Sequence, residues 1–160
     1  MVGGSRGRSG RAGPEEHRHR EADGRGAGRA VTLVLDASAV VDLLIGAEAA
    51  ATVQQHLEIA EDLVAPDLIY PEVTSAIWRL ARSGEVTGSE ADRAVTHLVS
   101  MPLDTVPTRP LVARAWGYRE SVRIPDAFYL ACAHELASPL LTSDARLHRG
   151  HHGVAVILAR

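Results

Sequence analysis

Four of residues 31–35, V-T-L-V-L, are apolar with no alternation, and the run stops at a carboxylate, Asp36. A strand that carries no polar face is one buried on both sides, as in a parallel sheet covered by helices. Small residues follow Asp36, then an apolar run over 39–45 halted by Gly46, so a helix is predicted to begin within two residues of the acid. Asp36 therefore stands at the carboxyl end of a parallel strand, where open α/β sheets bind their ligands. Asp and Ser are also good helix N-caps, and Ser38 is close by. From this stretch alone, a capping role and a chemical role for Asp36 stand level.

The rest of the chain repeats the alternation. Helical spacing runs through residues 48–60 with Val53, Leu57 and Ala60, and a short strand over 63–65 is closed by Pro66. From Leu68, the positions Ile69, Val73, Ala76, Ile77 and Leu80 form the stripe of a helix that ends near Gly84. Pro71 suits its first turn, and Glu72 follows on the border of the buried face. An acid near a helix N-terminus is also mildly favourable as a plain surface charge. A helix over 89–99, a strand over 103–106 and a helix opened by Pro110 carry no evident chemistry.

Residues 123–147 are the second informative stretch. Pro125 at a helix start puts Asp126 in the first turn, while Ala127, Ala131 and Ala133 keep that helix thin enough to lie close against a sheet. After Pro139 a buried strand, Leu140, Leu141 and Thr142, ends at Ser143 and Asp144, repeating the arrangement at Asp36. A last strand is predicted over 154–158. The fold class is α/β: a central parallel β-sheet flanked by α-helices, whose crossovers bring the strand ends to one edge.

With 160 residues and 46% hydrophobic content, the chain can bury one ordinary core. Residues 31–160 are expected to form it. Residues 1–30 hold eight of the 14 glycines and almost no aliphatic side chains, so a disordered Gly/Arg-rich extension is expected there. Seven arginines against four acids give this arm +3, and ten against sixteen give the remainder −6. The arm suits nucleic acid, or it precedes the native start of translation. No apolar run reaches the ~20 residues of a membrane span, and no signal-peptide core is present, so a cytoplasmic protein is expected. Cys132, the single cysteine, excludes an internal disulfide and is expected to pack as a small hydrophobe. The aromatic residues Trp78, Trp116, Tyr118, Phe128 and Tyr129 lack the spacing of base-stacking platforms, and core or interface packing is the expected role for most of them.

Asp36 and Asp144 end strands; Glu72 and Asp126 lie in helix first turns. These positions face one edge of a parallel sheet, so four carboxylates can converge with no thiol or imidazole cluster among them. Such a group repels itself until a hard dication occupies it, and carboxylates with water are what Mg²⁺ or Mn²⁺ prefers. Phosphoryl transfer is the chemistry that follows.

The segments V-L-D-A-S-A-V-V-D-L-L, P-D-L-I-Y-P-E-V-T-S-A-I-W-R-L, P-D-A-F-Y-L-A-C-A-H-E-L and L-L-T-S-D-A-R-L resemble, in order and spacing, the four motifs of PIN-domain ribonucleases, specifically the VapC toxins of bacterial toxin and antitoxin pairs. The resemblance spans residue 31 to the C-terminus. It implies a PIN-like fold and an acidic quartet of Asp36, Glu72, Asp126 and Asp144, with Ser38, Thr142 and Ser143 as supports for ligand or water. It further implies a Mg²⁺-dependent endoribonuclease in which Mn²⁺ can substitute, with Asp36, Asp126 and Asp144 around the metal and Glu72 completing the shell or orienting water. A homodimer and a cognate VapB-type antitoxin, whose C-terminal segment covers the site, are implied as partners. The helices over 39–45 and 48–60 suit a groove for an amphipathic helix of that partner. Pro125 departs from the family, which often has tyrosine or another non-proline residue there.

Other classes fit less well. A phosphate-accepting receiver module needs a lysine, and all 17 basic residues here are arginine. A haloacid-dehalogenase-like phosphatase needs an aspartate where Ser38 stands. A noncatalytic PIN-like binding module is the remaining alternative. A zinc site from His148, His151 and His152 is not expected in a polar, glycine-flanked loop. With −6 on residues 31–160, RNA phosphates must be met by local arginines, for which Arg79, Arg82, Arg119, Arg123, Arg146 and Arg149 are the candidates.

Overall fold

The structure is a computed structural model that describes residues 31–150 and 153–160. In chain order its elements are β1 (Thr32–Leu35), α1 (Ala37–Ile45), α2 (Ala50–Ile59), β2 (Asp62–Pro66), α3 (Ile69–Ser83), α4 (Gly88–Ser100), β3 (Asp104–Val106), α5 (Thr108–Gly117), α6 (Ile124–Glu135), β4 (Leu140–Thr142), α7 (Ala145–Arg149) and β5 (Val156–Leu158). The expected arm over residues 1–30, and His151 and His152 of the histidine cluster, lie outside the described residues.

All five strands are parallel, in the order β3-β2-β1-β4-β5. This is the α/β sheet that the unbroken apolar runs predict. β1 is central and buried from Leu33 to Leu35, with Val34 opposite Val64 on one side and Leu35 opposite Leu141 on the other. The chain leaves β1 toward β2 and β3, then returns past it to form β4. The crevice between the carboxyl ends of β1 and β4 is therefore the topological switch point, where a parallel sheet leaves room for a ligand. Asp36 follows β1 there, and Ser143 and Asp144 follow β4.

The helices fall into two packed sets. α1 contacts α2, α3 and α4, while α5 packs on α6, which lies against β1, β2 and β4. The small residues Ala127, Ala131, Cys132 and Ala133 of α6 are fully buried, which lets its backbone approach the sheet. Cys132 behaves as the small hydrophobe expected, and burial pushes its thiol up to about 11, where it is inert as a nucleophile at neutral pH. Gly46 ends α1 at φ 69°, a left-handed conformation that glycine adopts without strain.

Three elements start two residues away from where the periodicity puts them. α2 starts at Ala50 because residues 47–50 form a turn, closed by the Ala50 N–H on the Ala47 carbonyl at 2.9 Å. α5 starts at Thr108, two residues before Pro110, because the Asp67 carboxylate accepts the Thr108 N–H at 3.1 Å. That cap comes from 41 residues away and leaves no local signature. β5 pairs only over Val156–Leu158, the residues opposite β4. Among the described residues, no single helix is long and apolar enough to cross a membrane.

Candidate active site

Asp36 is 5% exposed, an unusual position for a carboxylate. Its Oδ2 accepts from the Ser38 hydroxyl at 2.5 Å, the Thr142 hydroxyl at 2.7 Å and the Ser38 N–H at 3.4 Å. Asp36 is thus the N-cap of α1 and a member of the site at once; the two readings of the sequence do not compete. All three donors converge on one oxygen, Oδ2.

The same two hydroxyls stitch β1 to β4. Ser38 Oγ accepts the Ser143 N–H at 3.0 Å, and Thr142 Oγ1 accepts the Asp144 N–H at 3.0 Å. Each hydroxyl has one proton, and each gives it to Asp36, so the 3.1 Å approach of Ser38 Oγ to Thr142 Oγ1 is proximity without a shared proton. Asp144 caps α7, accepting the Arg146 N–H on Oδ1 at 2.7 Å, while its Oδ2 lies 3.8 Å from Arg123 Nη2. Ser38 and Thr142 thus both bond to Asp36 and to the turn after β4. Ser143 contributes its backbone N–H, while its Oγ is buried without a hydrogen-bond partner and the residue lines a separate depression with Asp42, Glu48 and Arg160.

Glu72 and Asp126 enter from the helices. Glu72 lies in the first turn of α3 and is half-buried; its Oε2 accepts the Tyr129 hydroxyl at 2.6 Å. Tyr129 is 1% exposed, one turn after Asp126 on α6, so one helix delivers both an acid and the support for another. Sequence reasoning assigned Tyr129 to packing and missed this role. A tyrosine in a run of buried alanines does signal that its hydroxyl needs a partner.

Asp36, Glu72, Asp126 and Asp144 all line one open cavity of about 890 Å³, together with Ser38, Arg79, Arg123 and Pro125. Pro125 forms part of the wall at the point where the sequence departs from the family. The electrostatics are those of crowded, partly buried acids. Burial raises the carboxyls of Asp36, Glu72 and Asp126 above their ordinary values, and their mutual repulsion adds to it. Hydrogen bonds from Ser38 and Thr142 to Asp36, and from Tyr129 to Glu72, pull the other way.

An all-oxygen donor set of self-repelling acids fits a hard dication. Among the described residues, no three acidic, histidine or cysteine side chains are gathered tightly enough to form a ready-made metal cage. The fit is therefore to an ion that keeps most of its water and touches one or two carboxylates, the habit of Mg²⁺.

The arginine candidates separate. Arg123 reaches the acids: its Nε is 3.1 Å from Asp126 Oδ2 and its Nη2 is 3.8 Å from Asp144 Oδ2. Arg79 lines the cavity and donates to Ser75 at 3.2 Å. Arg82 lies outside the lining, with its guanidinium 5.5 Å from the Trp78 ring centre, and Arg146 is exposed on α7 beyond Asp144. Trp78 and Trp116 are 60% and 61% exposed, so both lie outside the core.

Four acids from two strand ends and two helix starts, meeting at the switch point of a five-stranded parallel sheet, define a class of protein. The PIN domain family model matches residues 33–151, and the chain belongs to that family. Within it, the chain is 34% identical over 117 residues to Ribonuclease VapC3 of Mycobacterium tuberculosis H37Rv, covering 73% of this chain and 85% of the relative. Its fold is similar to the crystal structure of PAE2754 from Pyrobaculum aerophilum, with TM-score 0.59 and 24% identity over 81% of this chain and 92% of the other. It is also similar to a chain of a toxin-antitoxin complex from Klebsiella pneumoniae, with TM-score 0.56 and 20% identity over 78% and 95% of the two chains.

Proposed function

We propose that the protein is a metal-dependent endoribonuclease of the VapC type, the toxin of a toxin-antitoxin pair. The observation that carries this reading is the convergence of Asp36, Glu72, Asp126 and Asp144 on one cavity at the sheet switch point. The relationship to a named VapC ribonuclease supports it.

In this reading Asp36, Asp126 and Asp144 hold Mg²⁺, with Mn²⁺ able to substitute, directly or through water. The bound dication would supply Lewis acidity, making a water nucleophilic near neutral pH and offsetting charge that grows on the phosphate. The protein's own groups do the rest. Ser38 and Thr142 fix one oxygen of Asp36, so that carboxylate cannot rotate away. Tyr129 fixes Glu72, whose raised basicity suits it to orient the attacking water and accept its proton. Water attacks phosphorus, the bond to the ribose O3′ breaks, and the proton returns to O3′. The products are a 5′-phosphate and a 3′-hydroxyl. Among the described residues, no pair of histidines lines the cavity to use the ribose 2′-hydroxyl instead.

A VapB-type antitoxin that covers the acid cavity, with an arginine entering it, is the partner this reading proposes, and a homodimer is its assembly. The neighbour described as a toxin-antitoxin complex supports the pairing. Charge reversal of an arginine in the antitoxin's C-terminal segment is expected to weaken inhibition.

The test is cleavage of total RNA with Mn²⁺ supplied, followed by end-group analysis. Activity lost on EDTA and restored by metal, lost in Asp36→Asn, and yielding 5′-phosphate ends supports the mechanism. Cleavage that survives EDTA or leaves 2′,3′-cyclic phosphate overturns it. A folded protein inactive on every RNA favours the noncatalytic binding module.

A further inference from the structure

Among the described residues, one ion-pairing arginine touches the acidic quartet, and it comes from within the site's own helix. Arg123 is the N-cap of α6, three residues before Asp126. Its backbone is held, since its carbonyl accepts the Ala127 N–H at 2.9 Å, but its side chain is 70% exposed. The guanidinium reaches back over the acids, with Nε on Asp126 at 3.1 Å and Nη2 near Asp144 at 3.8 Å, and these carboxylates are only 21% and 27% exposed. The same side chain also borders the shallow depression formed by residues 119–124, so it sits between the acid cavity and open surface.

We propose that Arg123 is a tethered counter-cation for the acid cluster, displaced when a divalent ion binds, and that its freed guanidinium then holds an RNA phosphate beside the scissile bond. The proposal rests on the nuclease reading above and assigns this residue a positioning role within it. Its physical basis is competition for the same oxygens. Asp126 Oδ2 cannot meet both the Arg123 Nε–H and a hydrated dication, and a solvent-exposed ion pair is held weakly enough to yield. Once the charges of Asp126 and Asp144 are satisfied, the attraction that folds the side chain over them is gone. A guanidinium presents a planar fork of donors that matches two phosphate oxygens, and the tether keeps it within a side-chain length of the acids. The exchange makes the first cation's departure the second anion's welcome: dication and RNA each strengthen the other's binding through one side chain, as linkage requires.

Two binding measurements test this without any turnover. The probes are Mn²⁺, followed by electron paramagnetic resonance, and a fluorescein-labelled 12-nucleotide RNA whose binding is read before a gel shows any cleavage. Because Arg123 is exposed and its backbone bonds do not need its side chain, Arg123→Gln is expected to fold, which its melting curve checks. In the absence of RNA it should bind Mn²⁺ roughly two- to fivefold more tightly than wild type, the range of an exposed ion pair. In the presence of Mn²⁺ it should bind the RNA at least fivefold more weakly, and Mn²⁺ should enhance RNA binding less than it does in wild type. Arg123→Lys should retain wild-type Mn²⁺ affinity but not the RNA affinity, since an ammonium keeps the charge and loses the fork. Unchanged or weaker Mn²⁺ binding in Arg123→Gln overturns the counter-cation role, and unchanged RNA binding overturns the phosphate role. If wild type binds Mn²⁺ and cleaves RNA while Arg123→Gln behaves identically, this proposal alone fails; if wild type does neither, the nuclease reading fails with it.

Discussion

Tyr129 and Glu72, 57 residues apart in the chain, meet in a 2.6 Å hydrogen bond in which the buried phenol donates to the carboxylate. This bond lowers the Glu72 carboxyl against the burial that raises it. Tyr129→Phe removes the donor, so Glu72 should titrate higher still. With Glu72 as proton acceptor, the acid limb of the pH-rate profile should move to higher pH while the rate at the plateau falls. The stability cost should be about 1 kcal/mol, the usual net worth of one hydrogen bond, measured by denaturant midpoints. A profile that keeps its acid limb would remove Glu72 from the proton transfer.

Asp126 bears a carboxyl raised by burial and by Asp144 nearby, so its charge is a cost to the metal-free fold. Asp126→Asn should therefore leave the melting temperature in EDTA unchanged or higher. It should also abolish cleavage and most of the temperature gain that Mn²⁺ gives the wild type, because binding to the native state alone is what raises that temperature. Calorimetry with and without Mn²⁺ separates these outcomes. A drop of many degrees in EDTA would show that the carboxylate stabilises the fold by itself.

The pH dependence follows from the same shifts. Asp36, Glu72 and Asp126 have folded-state pKa values above their unfolded ones, so the folded state binds protons more tightly. Their contribution to stability is complete below the unfolded values and is lost as pH rises through the folded ones, in a window above the ordinary carboxylate range. As pH rises above the ordinary carboxylate range, denaturant midpoints of the metal-free protein should fall by more in wild type than in Asp36→Asn. Saturating Mn²⁺ should reverse the trend, since carboxylates bind the ion only when deprotonated. Equal slopes for the two proteins would clear the cluster of this cost.

Ser38 and Thr142 each donate to Asp36 and each accept a backbone N–H from the start of the turn after β4. Thr142→Val removes both bonds of a fully buried hydroxyl and leaves the Asp144 N–H unpaired. A loss of about 1–3 kcal/mol is expected, the range for a stranded buried polar group. Hydrogen exchange at the Asp144 amide should accelerate more than at Leu33 or Val34 in the centre of β1. Uniform acceleration would mean that the substitution loosens the whole sheet and not this junction.

Much of this protein is written locally. The unbroken apolar runs of β1 and β4 require a sheet covered on both faces, and the acids that stop them must stand at its edge, because side-chain periodicity and strand burial are properties of short stretches. Glu72 and Asp126 were legible in the same way, from prolines that mark helix starts. What the four acids do to one another was not legible. Strand order decides that β1 and β4 are neighbours, and only that adjacency brings Ser38 to Ser143 and Thr142 to Asp36 across more than 100 residues. Tyr129 as a support for Glu72, Arg123 folded over Asp126 and Asp144, and Asp67 capping α5 are also products of packing. Residue type and spacing set which groups a segment can offer; which partner each group meets, and therefore its charge state and its freedom to react, is set by distances between segments that no local pattern encodes.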